Sequence, residues 1–392
     1  MKNTVKIIGV NMVKFMKPGA NEPYEVMASK AIQGAIKDAG IDFREIKQAF
    51  ASYVYGDSTC GQASLYKVGM TGIPVINVNN NCASGSSALY LARQAVESGA
   101  IDCALAFGFE EMRPGALKSK WDDRTSPLKA FNDRLDELAQ NSAPQGAIKF
   151  FGEAGAAYIN KYGANPDIFA KVAVKTRNHA LNNPYSIFNK PLTVEEVLNA
   201  PVIYPPYITR LMACPPSCGA AAAIVCSDEF ARKHGIHNAV EIISQVMATD
   251  TEESYKNAIN IAGADMTRRA AKEVYEKAGI GPEDVDVVEL HDCFTPNEVI
   301  TYEGLGLCRE GEAETFINNG DNTYGGKYVV NPSGGLMSKG HPLGATGLAQ
   351  CTELVWQLRG HAEKRQVKNA RIALQHNLGL GGAGVVTMYK KN

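Results

Sequence analysis

No stretch of this chain approaches the roughly 20 consecutive apolar residues that a helix needs to cross a bilayer. The one apolar run near the start, Val5 to Val10, is too short for a secretory signal and reads as a first strand. Disulfide patterning is absent as well. The nine cysteines are odd in number, scattered and without a CxxC pair, which excludes a stapled secreted domain and fits free thiols in a reducing compartment. Cys214 and Cys218 flank Pro215-Pro216 with no histidine nearby, so no metal is expected there or elsewhere. Charge of one sign is missing too: 40 Lys plus Arg stand against 41 Asp plus Glu, a formal net charge of -1 with no long run of either. Nucleic acid and a membrane surface are thereby excluded as partners, and an anionic ligand must be held by local groups. What remains is 392 residues, 45% hydrophobic and 21% charged, enough for two domains' worth of buried core.

The first informative presence is repetition. Ala39-Gly40-Ile41 ends an apolar-periodic helix and precedes a strand over Ile46 to Val54; Ala278-Gly279-Ile280 does the same before Val285 to Leu290. In each copy the glycine stands where a helix end needs positive φ. Further on, Cys82-Ala83-Ser84-Gly85 with Leu89 parallels His341-Pro342-Leu343-Gly344 with Leu348, and both open a helix. Two α/β halves with mostly parallel sheets covered by helices follow from this order. The expected division is an N-terminal half over 1–112 and 208–236, an inserted loop or lid domain over 113–207, and a C-terminal half over 237–392. A short strand, Ala220 to Cys226, returns the chain to the first half.

Ligands of open α/β sheets sit at the carboxyl ends of strands, and three such ends are unusual. In Val75 to Gly85 a β-branched strand runs through Asn79-Asn80-Asn81 into Cys82 at a helix start, where the dipole and free N–H groups favour a thiolate and an oxyanion. Val287 to Glu298 ends a buried strand in His291-Asp292-Cys293-Phe294. Thr295 then reads as a helix cap, with Pro296 at the first position and Glu298 closing a capping box. Alternation points His291 and Cys293 the same way, and Asp292 reads as a solvated turn residue. The third end, Asn331 to Gly347, holds His341 extended before a proline within glycine-rich backbone. A last glycine-rich turn, Gln375-His376-Asn377-Leu378-Gly379, follows a strand and offers backbone donors. Two thiols, two histidines and such donors suit a covalent acyl-enzyme, a cysteine acyltransferase or a cysteine hydrolase.

At these residues the sequence resembles the thiolase superfamily, most closely the thiolase domain of the sterol-carrier-protein thiolases. The likeness rests on Asn79 to Gly85, His291-Asp292-Cys293-Phe294, Gly340 to Gly347 and His376-Asn377-Leu378-Gly379, and covers nearly the whole chain. It implies a duplicated thiolase fold in αβαβα layers, a homodimer, and acyl transfer through an acyl-cysteine, with acyl-CoA and CoA as substrates and no resident cofactor. It makes Cys82 the nucleophile, His341 its activator and Cys293 the second acid/base. His291 and His341 would line the hole for the enolate, while the backbone N–H groups of Cys82 and Gly379 would form the other. Ser338, Gly340 and Asn377 are weaker candidates for contacts to substrate or CoA. Where common thiolases carry Asn-Glu-Ala-Phe and Cys-x-Gly, this chain has His291 to Phe294 and Asn377-Leu378-Gly379, so the second thiol has moved to Cys293.

Fusion members of that branch continue into a lipid-transfer domain with a peroxisomal signal, whereas this sequence stops at Tyr389-Lys390-Lys391-Asn392. A cytoplasmic enzyme is expected on that ground. Competing readings are a decarboxylating ketoacyl synthase, which would need no Cys293, a steroid side-chain carbon–carbon lyase, and a non-catalytic acyl-CoA or lipid binder. Phe188, Tyr204 and Tyr207 either shape an acyl pocket or pack the insert.

Overall fold

The computed structural model describes residues 3–113, 121–139 and 146–392. Parts of the expected insert, at 114–120 and 140–145, lie outside the described residues, as does the very start of the chain. The first half runs β1 (Val5–Met12), α1 (Tyr24–Ala39), β2 (Gln48–Ser52), α2 (Cys60–Tyr66), β3 (Val75–Val78), α3 (Ser84–Glu97) and β4 (Cys103–Glu110). There follow α4 (Lys129–Leu138), α5 (Ala147–Tyr162), α6 (Asp167–Ala180), α7 (Val194–Leu198) and a hairpin of β5 (Val202–Tyr204) and β6 (Ile208–Thr209). β7 (Gly219–Ser227) and α8 (Asp228–Lys233) complete that half. The second runs β8 (Val240–Ala248), α9 (Ala258–Ile261), α10 (Ala264–Ala278), β9 (Val287–Glu289), α11 (Thr295–Gly304), α12 (Ala313–Asn318) and β10 (Val329–Val330). It ends with α13 (Gly335–Ser338), α14 (Leu343–Arg359), β11 (Ile372–Gly379) and β12 (Ala383–Lys391). Among the described residues no helix is long and apolar enough to cross a membrane.

The repetition read from sequence is a two-fold in space. Outward from the centre the strands run β1-β7-β4-β2-β3 on one side and β8-β12-β11-β9-β10 on the other. Within each half four of the five strands point one way and only β7 or β12 is reversed. The halves meet where β1 and β8 pair antiparallel, Lys6 opposite Glu241 and Ile7 opposite Val240. Helices α3 and α14 lie against each other between the half-sheets, with α1 and α10 on the outer faces, giving five layers. Gly40 and Gly279 end α1 and α10 at φ 67 and 68, the left-handed caps that the matched Ala-Gly-Ile segments predict.

Alternation along the strands divides the core. Ile8, Leu105 and Phe107 pack beneath α1, while Ile7, Ala104 and Ala106 face the central helices. Small residues on the inner face let α14 come close. A Cβ added at Gly108 would lie 2.0 Å from the carbonyl oxygen of Gly344, so the start of α14 rests on the end of β4.

Two local expectations are overturned. Asp292 is fully buried, not a solvated turn residue: its carboxylate accepts from Leu336 N at 2.7 Å and Met337 N at 3.4 Å, clamping α13 against the turn after β9. Thr295 forms no cap, and its hydroxyl has no hydrogen-bond partner among the described residues. The Glu298 carboxylate takes Lys175 of α6 and the Tyr302 hydroxyl instead, because in a dry interior an ammonium outcompetes a neutral backbone N–H. The described part of the segment read as an inserted loop or lid domain is largely helical, and α5 and α6 pack on α11. Tyr204 is buried there with Phe151 and Phe169, and a Cβ at Gly152 would meet its ring at 2.4 Å. Phe188 lies within cation–π range of Lys17 at 5.0 Å and Arg177 at 4.5 Å.

Candidate active site

Between β3 and α3 the chain makes a tight turn built by asparagines. Asn81 takes φ 51, a left-handed conformation asparagine tolerates well. Its amide donates to the Leu380 carbonyl at 3.1 Å, Asn79 Oδ1 accepts from Asn81 N at 3.0 Å, and the Asn80 amide donates to Ser87 at 2.9 Å. Cys82 follows, two residues before α3. Gly379 closes on this turn from β11: a Cβ there would lie 2.2 Å from Asn80 O and 3.0 Å from Ala83 N, so only glycine permits the approach.

The other two ends converge here. Cys82 Sγ and a ring nitrogen each of His291 and His341 lie within 4.8 Å of one another, and the two imidazoles meet edge to face with centroids 5.1 Å apart. The turn before α14 is fixed by Ser217, whose hydroxyl accepts from His341 N at 2.9 Å. His341 Nδ1 meets Thr346 Oγ1 at 2.7 Å. Thr346 spends its own proton on the Pro342 carbonyl at 3.0 Å, so it accepts from Nδ1–H, and His341 Nε2 is a bare lone pair. That nitrogen is buried with no hydrogen-bond partner among the described residues. A buried acceptor left open beside a thiol is a base waiting for its proton.

Burial dominates the electrostatics. It pushes the Cys82 thiol up to about 12, with the Glu110 carboxylate adding to the effect. The expected helix-start stabilisation of a resting thiolate is therefore outweighed by desolvation. Burial, then the Lys339 ammonium, holds His341 down to about 3; burial, then His341 and His376, holds His291 well below the ordinary histidine value. Cys82 and His341 rest as a neutral pair, and the thiol loses its proton only as it reacts. Burial also raises the Cys293 thiol far above its ordinary value, with the Cys214 and Cys82 thiols contributing next.

Behind the histidines lies a dry charged cluster. Lys339 Nζ reaches Ser333 Oγ at 3.0 Å and Glu289 at 3.5 Å, while Glu289 also accepts from Ser333 N at 3.0 Å and Ser333 Oγ at 2.8 Å. It ties the end of β9, which leads to His291, to the turn that leads to His341. Ser338 and Gly340 belong to the support of that turn: Arg177 Nε donates to Ser338 Oγ at 3.2 Å, and a Cβ at Gly340 would meet Ile187 at 2.8 Å. Asn377 touches His291 directly, Nδ2 to Nδ1 at 3.1 Å.

Sequence reasoning missed Glu110, Cys214 and Tyr55. Glu110 ends β4, where the strand-end rule would have found it. Cys214 opposes Cys293, its N–H donating to the Cys293 carbonyl at 2.8 Å; no local signal announces such a pairing. Burial pushes the Tyr55 hydroxyl up to about 12, and Cys82 lies close enough to add to the effect.

Residues 5–200 match the family model of the thiolase N-terminal domain, and residues 247–389 that of the thiolase C-terminal domain-like family. The chain belongs to the thiolase superfamily. It is 53% identical over 392 residues to sterol carrier protein 2 of Oryctolagus cuniculus, covering 98% of this chain and 72% of that one. It is 35% identical to the benzoylsuccinyl-CoA thiolase subunit BbsB of Thauera aromatica, over 97% of this chain and 96% of the relative. The solved Ltp2-ChsH2(DUF35) aldolase superposes with a TM-score of 0.83 at 22% identity, covering 99% and 98% of the two chains. At that identity the last likeness is one of fold, and the duplicated layers above are the thiolase layers.

Proposed function

We propose that this chain is a thiolase that cleaves 3-ketoacyl-CoA with CoA through an acyl group carried on Cys82. The observation that carries the reading is the pairing of the Cys82 thiol with a histidine whose outer nitrogen is a buried acceptor with no partner among the described residues. As the C3 carbonyl of a 3-ketoacyl-CoA approaches, the Cys82 proton passes to His341 Nε2 and the sulfur attacks. The tetrahedral oxyanion sits by the backbone N–H groups of Cys82 and Gly379, and its collapse breaks the C2–C3 bond. The electron pair leaves as the enolate of a shortened acyl-CoA, beside His291 and the His341 imidazolium just formed. Cys293 gives its proton to C2 and regains one from the incoming CoA thiol; the CoA sulfur then takes the acyl group, and Cys82 leaves with the proton returned by the His341 imidazolium. CoA is thus a co-substrate, and no resident cofactor has a task.

Intact-protein mass spectrometry tests this. Acetoacetyl-CoA added without free CoA should leave an acetyl group on Cys82, and Cys82→Ala should abolish both adduct and turnover while staying folded. Carbon–carbon cleavage with no adduct on Cys82 would favour the aldolase-like alternative; neither cleavage nor adduct would leave a binding protein.

A further inference from the structure

The mechanism asks opposite things of its two histidines, a lone pair from His341 and a proton from His291, yet both rings are neutral and chemically identical. Thr346 sets the first. A chain of side chains that the mechanism does not otherwise use sets the second, and its direction can be read from one end to the other.

It starts at the Gly347 carbonyl, which only accepts. Gln375 Nε2 donates to it at 2.7 Å, so the amide of Gln375 has its nitrogen on that side. Two neighbours agree. The Tyr389 hydroxyl donates to Gln375 Oε1. Gln350, turned by donating to the His376 carbonyl at 3.1 Å, offers its own oxygen to Gln375 Nε2 at 3.3 Å. The second N–H of Gln375 goes to Ser86 Oγ at 2.9 Å, and the Ser86 proton then goes to Asn377 Oδ1 at 2.8 Å. With its oxygen so engaged, Asn377 presents Nδ2–H to His291 Nδ1 at 3.1 Å. Ser86, Gln375 and Asn377 are completely buried, so bulk water does not rewrite the pattern.

We propose that Gln375, Ser86 and Asn377 form a positioning relay that occupies the Nδ1 lone pair of His291 and thereby holds the ring in its Nε2–H form, a fixed donor toward the enolate oxygen. None of the three touches a reacting atom. The relay joins α3 of the first half to β11 of the second, so the donor is in place only when the halves are assembled. Flipping the Asn377 amide would strand the Ser86 proton and turn its own oxygen toward His291. That would favour Nδ1–H and leave a lone pair pointing at the developing negative charge.

The task given to this N–H rests on the thiolase reading, so the test includes a measurement that needs no substrate. With seven histidines, the full chain labelled on its imidazoles yields few enough ring signals to separate. His291→Gln and His341→Gln identify the two rings by loss of signal. We expect His291 as neutral Nε2–H and His341 as neutral Nδ1–H in the same spectrum. Asn377→Asp replaces the donor by an acceptor and should place a proton on His291 Nδ1. Ser86→Ala, a small change that the fold tolerates should Asn377→Asp fail to fold, frees the amide to turn, and an Nδ1–H population should appear. Ser86→Ala should also slow carbon–carbon cleavage by about 10²-fold, the effect of losing one oxyanion donor, while iodoacetamide alkylates Cys82 at the wild-type rate. A wild-type His291 carrying its proton on Nδ1, or an Nδ1 that stays bare in both variants, would overturn the relay. Opposite tautomers in a protein that never acylates Cys82 would keep the relay and remove the thiolase reading.

Discussion

Cys293 shows how a side chain's surroundings limit the chemistry it can do. Its thiol is buried beside two others, and burial raises it far above the ordinary cysteine value. A thiol so held is a poor standing nucleophile and a proton donor that releases only to a strong base, which an enolate carbon is. On the proposed reading Cys293→Ser keeps the size and loses the acidity. Such a variant should still become acetylated on Cys82 by acetoacetyl-CoA, slowly, and should lose cleavage by about 10²–10⁴-fold. Steady-state cleavage and adduct mass measured on one preparation check both halves; cleavage at the wild-type rate would leave Cys293 a packing residue. Residue types and their placement at strand ends were legible here without coordinates. The state of each group was not, because desolvation depends on what the rest of the chain stacks above it.

At the scale of elements, one carboxylate joins three of them. Glu110, the last residue of β4, accepts from Val54 N at 3.1 Å and Tyr55 N at 2.9 Å beyond β2, and from Gly344 N at 3.0 Å at the start of α14. Burial still outweighs those three bonds and raises its pKa from 4.5 to about 7. A value raised in the folded state contributes stability that is fully present below about 4.5 and is lost as pH rises through about 7. The loss amounts to roughly 3 kcal/mol. Glu110→Gln removes this dependence, while its amide N–H facing a backbone N–H costs about 1–3 kcal/mol at acid pH. Urea unfolding across that window should therefore find the wild type ahead at low pH and its lead shrinking as pH rises. A lead that stays constant would place the Glu110 titration elsewhere. The strands read over Val5 to Val10, Ile46 to Val54, Ala220 to Cys226 and Val285 to Leu290 lie within about two residues of β1, β2, β7 and β9, whereas the helices of the insert were not legible. The capping box read at Thr295 does not form, since Lys175, distant in sequence, claims Glu298.

Among the described residues the ten-stranded sheet has two edges and treats them differently. β10 is buried, whereas β3 pairs, among the described residues, with β2 alone and exposes Ile76 at 43%. A partly apolar edge that pairs with its own copy about a two-fold axis would cover both copies of itself, which suits a dimer rather than a filament. We propose that β3 is that interface. Sedimentation at micromolar concentration should give twice the 42.2 kDa chain mass, and Ile76→Lys should shift the protein toward monomer. A wild-type monomer at that concentration would rule the edge out.

Duplication, alternating elements, the three strand ends and the thiol–histidine inventory all follow from spacing and residue type, which act over a few neighbours and so survive in one dimension. Periodicity of this kind records which face of an element seeks the core. The rest awaited the fold. Asp292 became a buried clamp, Asn377 a partner of His291, and Cys82 a neutral thiol. Each outcome depends on groups scores or hundreds of positions away, brought together when α3 and α14 meet between the half-sheets. Hydrogen-bond direction and desolvation are properties of that enclosed volume, and no local stretch of chain encloses one.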